Sequence, residues 1–146
     1  MSWDSVEAKV EIMLRTAFKA ATDSASLAPR YRCFWADSTA QALTFPCVDI
    51  TASGAINDGW RTTIFKVPVA IEIMTAPIDD PTGSVNRAIY RAVRGAIEGA
   101  TLAVSGWQAA PVTVENSGRP AVIKPDDDVP TGLRVVPLDL MADVAL

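Results

Sequence analysis

Apolar residues near the start of the chain recur with helical spacing. Val6, Val10, Met13, Ala17 and Phe18 form one stripe through residues 4–22, while Glu7, Lys9, Glu11, Arg15 and Lys19 fill the other face, which predicts an amphipathic helix. Asp4 followed by Glu7 has the spacing of a capping box, Trp3 is expected to pack at the helix mouth, and Thr22-Asp23-Ser24 marks the stop. A second stripe, Val85, Ile89, Val93 and Ile97, is widened by Ala88, Ala92 and Ala96. It predicts a helix capped by Ser84 and stopped by Gly99, with alanines that permit close approach to a sheet or to the first helix.

Between the helices the period changes. Residues 45–52 read as a strand with Phe45, Cys47 and Asp49 on one side and Val48 and Ile50 on the other. From Trp60 to Thr75 the residues Phe65, Val67, Val69, Ile71 and Ile73 alternate with Lys66, Pro68, Ala70 and Glu72, the signature of a strand with one buried face. Asp58-Gly59 between the two runs favours the positive φ angles of a tight hairpin turn. Pro68 cannot donate to a ladder, so an edge position or a bulge is expected there. Before this hairpin, Pro29 breaks the pattern, and Tyr31-Arg32-Cys33-Phe34-Trp35 fits either a short strand or a loop carrying aromatic anchors.

After Trp107 the chain is rich in proline and turns, with strands predicted at 112–115 and 133–140. Residues 117–132 contain Gly118, Pro120, Pro125, Pro130 and the acidic run Asp126-Asp127-Asp128, the composition of a long mobile loop. The order of elements predicts a single α+β domain over 1–146: a mostly antiparallel β-sheet with two amphipathic helices packed on one face.

Length and composition agree with that reading. At 146 residues, folding hides roughly 70% of the surface that the unfolded chain exposes, enough for one core. Apolar residues at 49% and charged residues at 21% exclude a wholly disordered chain. A net charge of -4 disfavours nonspecific nucleic-acid binding, which needs a surplus of clustered Lys and Arg. The longest apolar stretch, Val67 to Met74, is interrupted by Pro68 and Glu72 and falls far short of the ~20 residues of a membrane helix. Met1-Ser2-Trp3-Asp4 has neither a basic nor an apolar leader region, so synthesis and function in the cytosol are expected.

The sequence contains no histidine, which removes Ser-His-Asp and Cys-His catalysis, HExxH metal sites and every zinc set that needs imidazole. Cys33 and Cys47 are expected to be buried thiols, and the strand around Cys47 supplies no base to activate it. No GxGxxG or GxxxxGK[ST] run cradles a phosphate. Asp126, Asp127 and Asp128 lack the alternating spacing and distal Glu of a calcium loop, and Asp79 and Asp80 read as turn residues ahead of Pro81. The chain is therefore not expected to be an enzyme, nor to hold a cofactor or metal.

What remains is a surface feature. Arg87, Arg91 and Arg94, at i, i+4 and i+7, place a basic stripe on the exposed side of the second helix. The stripe fits a solvated helix face, an inter-subunit patch meeting Asp126, Asp127 and Asp128 of a neighbour, or a contact to DNA phosphates.

The succession Phe45-Pro46-Cys47-Val48-Asp49-Ile50, then Val67-Pro68-Val69-Ala70-Ile71-Glu72-Ile73, then the helix from Ser84 to Gly99 resembles the tail terminator proteins of long-tailed, lambda-like phages in layout and length. The resemblance implies an α+β subunit that forms a hexameric ring on the finished tail tube, stops tube polymerisation and offers a face for head-tail joining. Its implied partners are copies of itself, the major tail tube protein and the head-neck connector protein. Its implied place is the virion tail, with the host cytoplasm during assembly, and no catalysis or specific nucleic-acid binding is implied. That family supplies no fixed functional residues to carry over. A rival reading from the residues alone is a small intracellular binding module that uses Trp35, Trp60 and Trp107 to hold a peptide or ligand.

Overall fold

The computed structural model describes residues 3–39, 42–54, 56–57, 64–98, 101–102, 110–125 and 132–145. Two helices, α1 (Trp3–Ser24) and α2 (Ser84–Ile97), accompany eight strands: β1 (Arg30–Cys33), β2 (Cys47–Ala52), β3 (Ile56–Asn57), β4 (Ile64–Thr75), β5 (Thr101–Leu102), β6 (Ala110–Asn116), β7 (Ala121–Ile123) and β8 (Leu133–Ala145). The sheet runs β1-β2-β4-β8-β6-β5, with β3 also paired to β4 and β7 also paired to β8. The β1–β2 pair is parallel and every other described pair is antiparallel. The fold is thus α+β, as the element order predicts.

The alternation in β4 sends Val67, Val69, Ile71 and Ile73 into the core, where they meet Val48, Ile50 and Ala52 of β2 and Leu138, Leu140 and Ala142 of β8. The helices supply the other half of that core through Val6, Val10, Met13, Leu14 and Phe18 of α1 and Ile89, Val93 and Ile97 of α2. Phe45 and Cys47 fall on the opposite face, as expected, where Cys47, Met74 and Leu133 form a small second cluster flanked by Leu43, Phe45 and Val135.

The buried arc of α1 is wider than the predicted stripe. Glu7 and Glu11, expected on the polar face, are buried, whereas Ile12 is exposed. The cause is that α1 packs against α2 and against β1 and β2 at once, so two neighbours cover two sides of the cylinder. Its end is a Schellman arrangement around Ser26, at φ 58, with Leu27 N donating to Thr22 O and Ser26 N to Asp23 O.

Pro68 corrects an expectation. It lies in the central strand β4, in an unbroken register with β8 that pairs it with Met141, so it is neither at a sheet edge nor in a bulge. Its carbonyl accepts from Ser53 N on the β2 side, and in an antiparallel ladder a residue's N–H and C=O point the same way. The missing donor therefore faces the break between β2 and β3, where the ladder asks for none.

Part of the expected 117–132 loop is also a strand. Val122 pairs with Arg134, continuing the edge that β6 begins. Between β6 and β7 the chain passes so close to β8 that a Cβ on Gly118 would sit 2.6 Å from Pro137 Cγ. Gly118 N donates to Pro137 O, which carries the edge across the gap.

Candidate functional site

Two corners of the molecule gather polar side chains. The first is the turn after β1. Glu11, fully buried in α1, accepts from Trp35 N at 2.7 Å and Ala36 N at 2.9 Å through Oε1, and from Ala52 N at 2.9 Å through Oε2. Burial pushes its carboxyl above the ordinary value, and the backbone N–H groups oppose that rise without cancelling it. Asp37 closes the turn by accepting from Cys33 N and pairing with Arg15 at 2.9 Å. Trp35 Nε1 donates to Ala52 O at 2.7 Å. The turn is fixed on all sides, yet it holds Phe34 64% exposed and Trp35 43% exposed, with ring centroids 4.9 Å apart in an edge-to-face pair.

Beside this turn a cleft of about 360 Å³ is lined by Arg32, Asp37, Ser38, Thr39 and Asp49 among others. Its charged groups are already engaged: Arg32 grips Asp49 through two bonds of 2.6 Å, and Asp37 is held as described. Cys47 Sγ donates to Asp49 Oδ1 at 3.3 Å. Burial pushes the Cys33 and Cys47 thiols up to about 12, and thiols held protonated at neutral pH are not nucleophiles. Cys33, the thiol that lines this cleft, is therefore not an activated nucleophile.

The second corner is the start of α2. Ser84 was expected to cap this helix, but the cap position belongs to Gly83, at φ 76, without a side-chain bond of its own. Asp80 does the capping from the preceding turn, accepting from Val85 N and Asn86 N at 3.0 Å each and from the Thr75 hydroxyl. Burial would raise its carboxyl, but these bonds and the Arg134 guanidinium outweigh it and hold Asp80 below the ordinary value. Positive φ and the 3.2 Å approach a Cβ would make to Arg134 Nη1 both call for glycine at position 83. Asn86, only 1% exposed, takes the place in the α2 core that periodicity assigned to Val85, which is exposed. Its Nδ2 donates to Ile73 O, Thr75 Oγ1 and Arg134 O.

A second cleft, of about 280 Å³, opens between this helix start and β7, lined by Asn86, Arg87, Tyr90, Val122, Arg134 and Val136 among others. Two buried polar atoms there have no hydrogen-bond partner among the described residues, Asn86 Oδ1 and Arg134 Nε.

Of the predicted basic stripe, Arg87 and Arg91 are exposed. Arg94 is tied down, donating to Tyr90 Oη at 2.7 Å and pairing with Glu98 at 3.5 Å. Asp126, Asp127 and Asp128 lie outside the described residues, as do Trp60, Trp107 and the Asp58-Gly59 turn. Among the described residues, no group of His, Cys, Asp and Glu has the makings of a metal site, and no helix is long and apolar enough to cross a membrane. The periodicity missed Glu11, Asp80, Asn86 and Arg134. Their one signal in the sequence was a polar residue at a core position, visible only for Asn86, next to the stripe residue Val85.

A mostly antiparallel sheet with both helices on one face defines the class of fold, and comparison with solved structures finds it elsewhere. The chain matches one from the "Virion of native gene transfer agent (GTA) particle" with a TM-score of 0.54 and 14% identity, covering 93% of this chain and 94% of that one. The likeness is one of fold. No protein-family model matches the chain, and no curated protein does.

Proposed function

We infer that this chain is a structural virion protein, a tail terminator subunit that forms a ring capping the tail tube, stops tube polymerisation and provides the surface for head-tail joining. The observation that carries this reading is a shared fold, end to end, with a chain of a gene transfer agent virion. The surfaces are consistent with it. The cleft beside the β1 turn contains engaged ion pairs and the buried, protonated thiol of Cys33, while apolar side chains such as Phe34 and Trp35 and the basic residues Arg87 and Arg91 stand exposed.

A ring needs two different complementary patches on every subunit. In this reading the stripe of Arg87, Arg91 and Arg94 meets acidic residues of the next copy, Asp126, Asp127 and Asp128 among them, and the ring is a hexamer. Its remaining partners are the major tail tube protein and the head-neck connector protein, its place is the virion tail, and it works without catalysis. Size-exclusion chromatography with light scattering, alone and with purified tail tubes, tests the assignment. A ring-sized species or capped tubes with six-fold end views are expected, and a strict monomer that leaves tubes unbound overturns it.

A further inference from the structure

We propose that the exposed arginines of α2, Arg87 and Arg91, dock on the helix-free face of the sheet of a second copy of the chain, against Glu72, Asp139 and Glu115. The inference rests on the self-assembling reading above and names the surface that the arginines meet.

Strand alternation builds the acidic face. Because Val67, Val69, Ile71 and Ile73 of β4 and Leu138, Leu140 and Ala142 of β8 point to the helices, the residues between them point away. Of these, Glu72 and Asp139 are exposed. Val112 of β6 is in the core, which puts Thr113 and Glu115 on the same outer side, with Glu115 exposed and accepting from Thr113 Oγ1 at 3.1 Å. Glu72 lies opposite Pro137 and Asp139 opposite Ala70, so the two acids are diagonal neighbours about 7–8 Å apart. Asp139 is paired in turn with Asn116, next to Glu115, and the acids thus run across β4, β8 and β6 as one row. Cations on this face are engaged or marginal: Arg32 is held by Asp49, Lys66 by Asp143, and Arg30 lies on the edge strand β1. The row does not gather into a metal site; its carboxylates are spaced for separate cationic side chains.

The basic side has a similar step. Arg87 and Arg91 are one helical turn apart, about 5–6 Å between Cβ atoms, and face away from the buried stripe of Ile89, Val93 and Ile97. Both are exposed, and neither pairs with a carboxylate among the described residues. Glu98, beyond the end of α2, is held by Arg94. Ser84 and Gly95, exposed on the arginine side of the helix, are too small to hold a flat partner away. Two exposed guanidinium groups on a chain of net charge -4 are a poor match for nucleic-acid phosphates, which ask for a basic surplus. A row of carboxylates at a comparable spacing suits them.

Charge also fixes the mode of contact. Acid row against acid row, or arginine stripe against stripe, brings like charges together, so a two-fold contact through either face is opposed. The attractive arrangement sets the helix side of one copy on the sheet side of the next. Those are opposite sides of a two-layer fold, so every copy offers both halves of a head-to-tail contact, the kind that closes into rings.

The test uses two full-length double variants, Arg87→Glu with Arg91→Glu and Glu72→Lys with Asp139→Lys, all at exposed positions. Circular dichroism and thermal midpoints verify that each folds as the wild type does; should a reversal unfold the chain, Gln at the same positions gives the comparison at smaller amplitude. Sedimentation velocity, alone and with purified tail tubes, reads association. The wild type is expected to associate, less so as salt is raised, and each variant alone at least about tenfold more weakly than the wild type at low salt. Mixed in equal amounts, the two variants are expected to associate again, since the acidic helix of one meets the basic sheet of the other and the native pair of faces remains at the next junction. If the wild type associates and both variants match it, or if the mixture fails to recover, this contact is wrong while the assembly reading stands. If Glu72→Lys with Asp139→Lys loses the capping of tubes and keeps self-association, the acidic face belongs to the tube, and the contact between copies is likewise wrong. A wild type that stays monomeric and leaves tubes uncapped removes both.

Discussion

The corner around Glu11 and the corner around Asp80 solve the same problem with opposite electrostatic results. Each is a carboxylate removed from water, 0% and 2% exposed, that accepts backbone N–H groups to hold a turn against a helix. Glu11 sits mid-helix and has hydrogen bonds alone to offset burial, so its carboxyl is raised. Asp80 stands at the start of α2, where helix N–H groups converge and Arg134 adds a full positive charge, so its carboxyl is lowered. Burial by itself does not set the direction; what faces the carboxylate does.

Removing the Glu11 carboxylate is expected to destabilise the fold the most. Glu11→Ala strands three N–H donors, that of Ala52 buried and those of Trp35 and Ala36 part-buried, at about 1–3 kcal/mol for a donor left unsatisfied out of water. A loss of about 3 kcal/mol or more is expected in chemical denaturation. Glu11→Gln is milder, at about 1–3 kcal/mol, because its amide carbonyl satisfies one side while its NH₂ confronts an N–H on the other.

Asp80→Asn is expected to cost about 1–2 kcal/mol, as loss of a helix cap with its nearby charge does. Ser84→Ala, at the residue that sequence would have made the cap, is expected to change stability by less than about 0.5 kcal/mol.

The sharpest contrast is in pH. With a raised carboxyl, folded Glu11 keeps its proton when the unfolded chain has lost it, so its contribution is greatest below its ordinary value of 4.5 and falls as pH rises through the folded value. Asp80 behaves inversely: its contribution is fully present above 3.8 and is lost as pH falls through the lower folded value. Denaturation of the wild type against Glu11→Gln and Asp80→Asn across the acid range should give difference curves of opposite slope. Parallel slopes would show that both carboxyls answer to burial alone.

Much of the fold is legible in the sequence because helices and strands are local and periodic. Residues four apart on α2 and alternating residues on β4 announce their elements and their buried faces. The expected cap at Ser84, the edge at Pro68 and the polar face at Glu11 fail for one reason, that each depends on what lies opposite. Asp80 reaches the helix start because the turn from β4 brings it there, and Pro68 is tolerated centrally because β2 ends beside it. Glu11 is buried because two layers close over α1.

The candidate surfaces divide in the same way. Arg87 and Arg91 were readable as a stripe, since helical spacing is local. The cleft that Arg87 shares with Arg134, and the bonds that Trp35 N and Ala36 N donate to Glu11 to fix the turn carrying Phe34 and Trp35, join residues far apart in the chain. Sequence alone determined the two helices, the strands β2, β4, β6 and β8, the α+β class and the absence of imidazole chemistry. Tertiary structure decided which charges are buried, which strand is central and which side chains stand exposed, because desolvation and register are set by neighbours that only folding brings into contact.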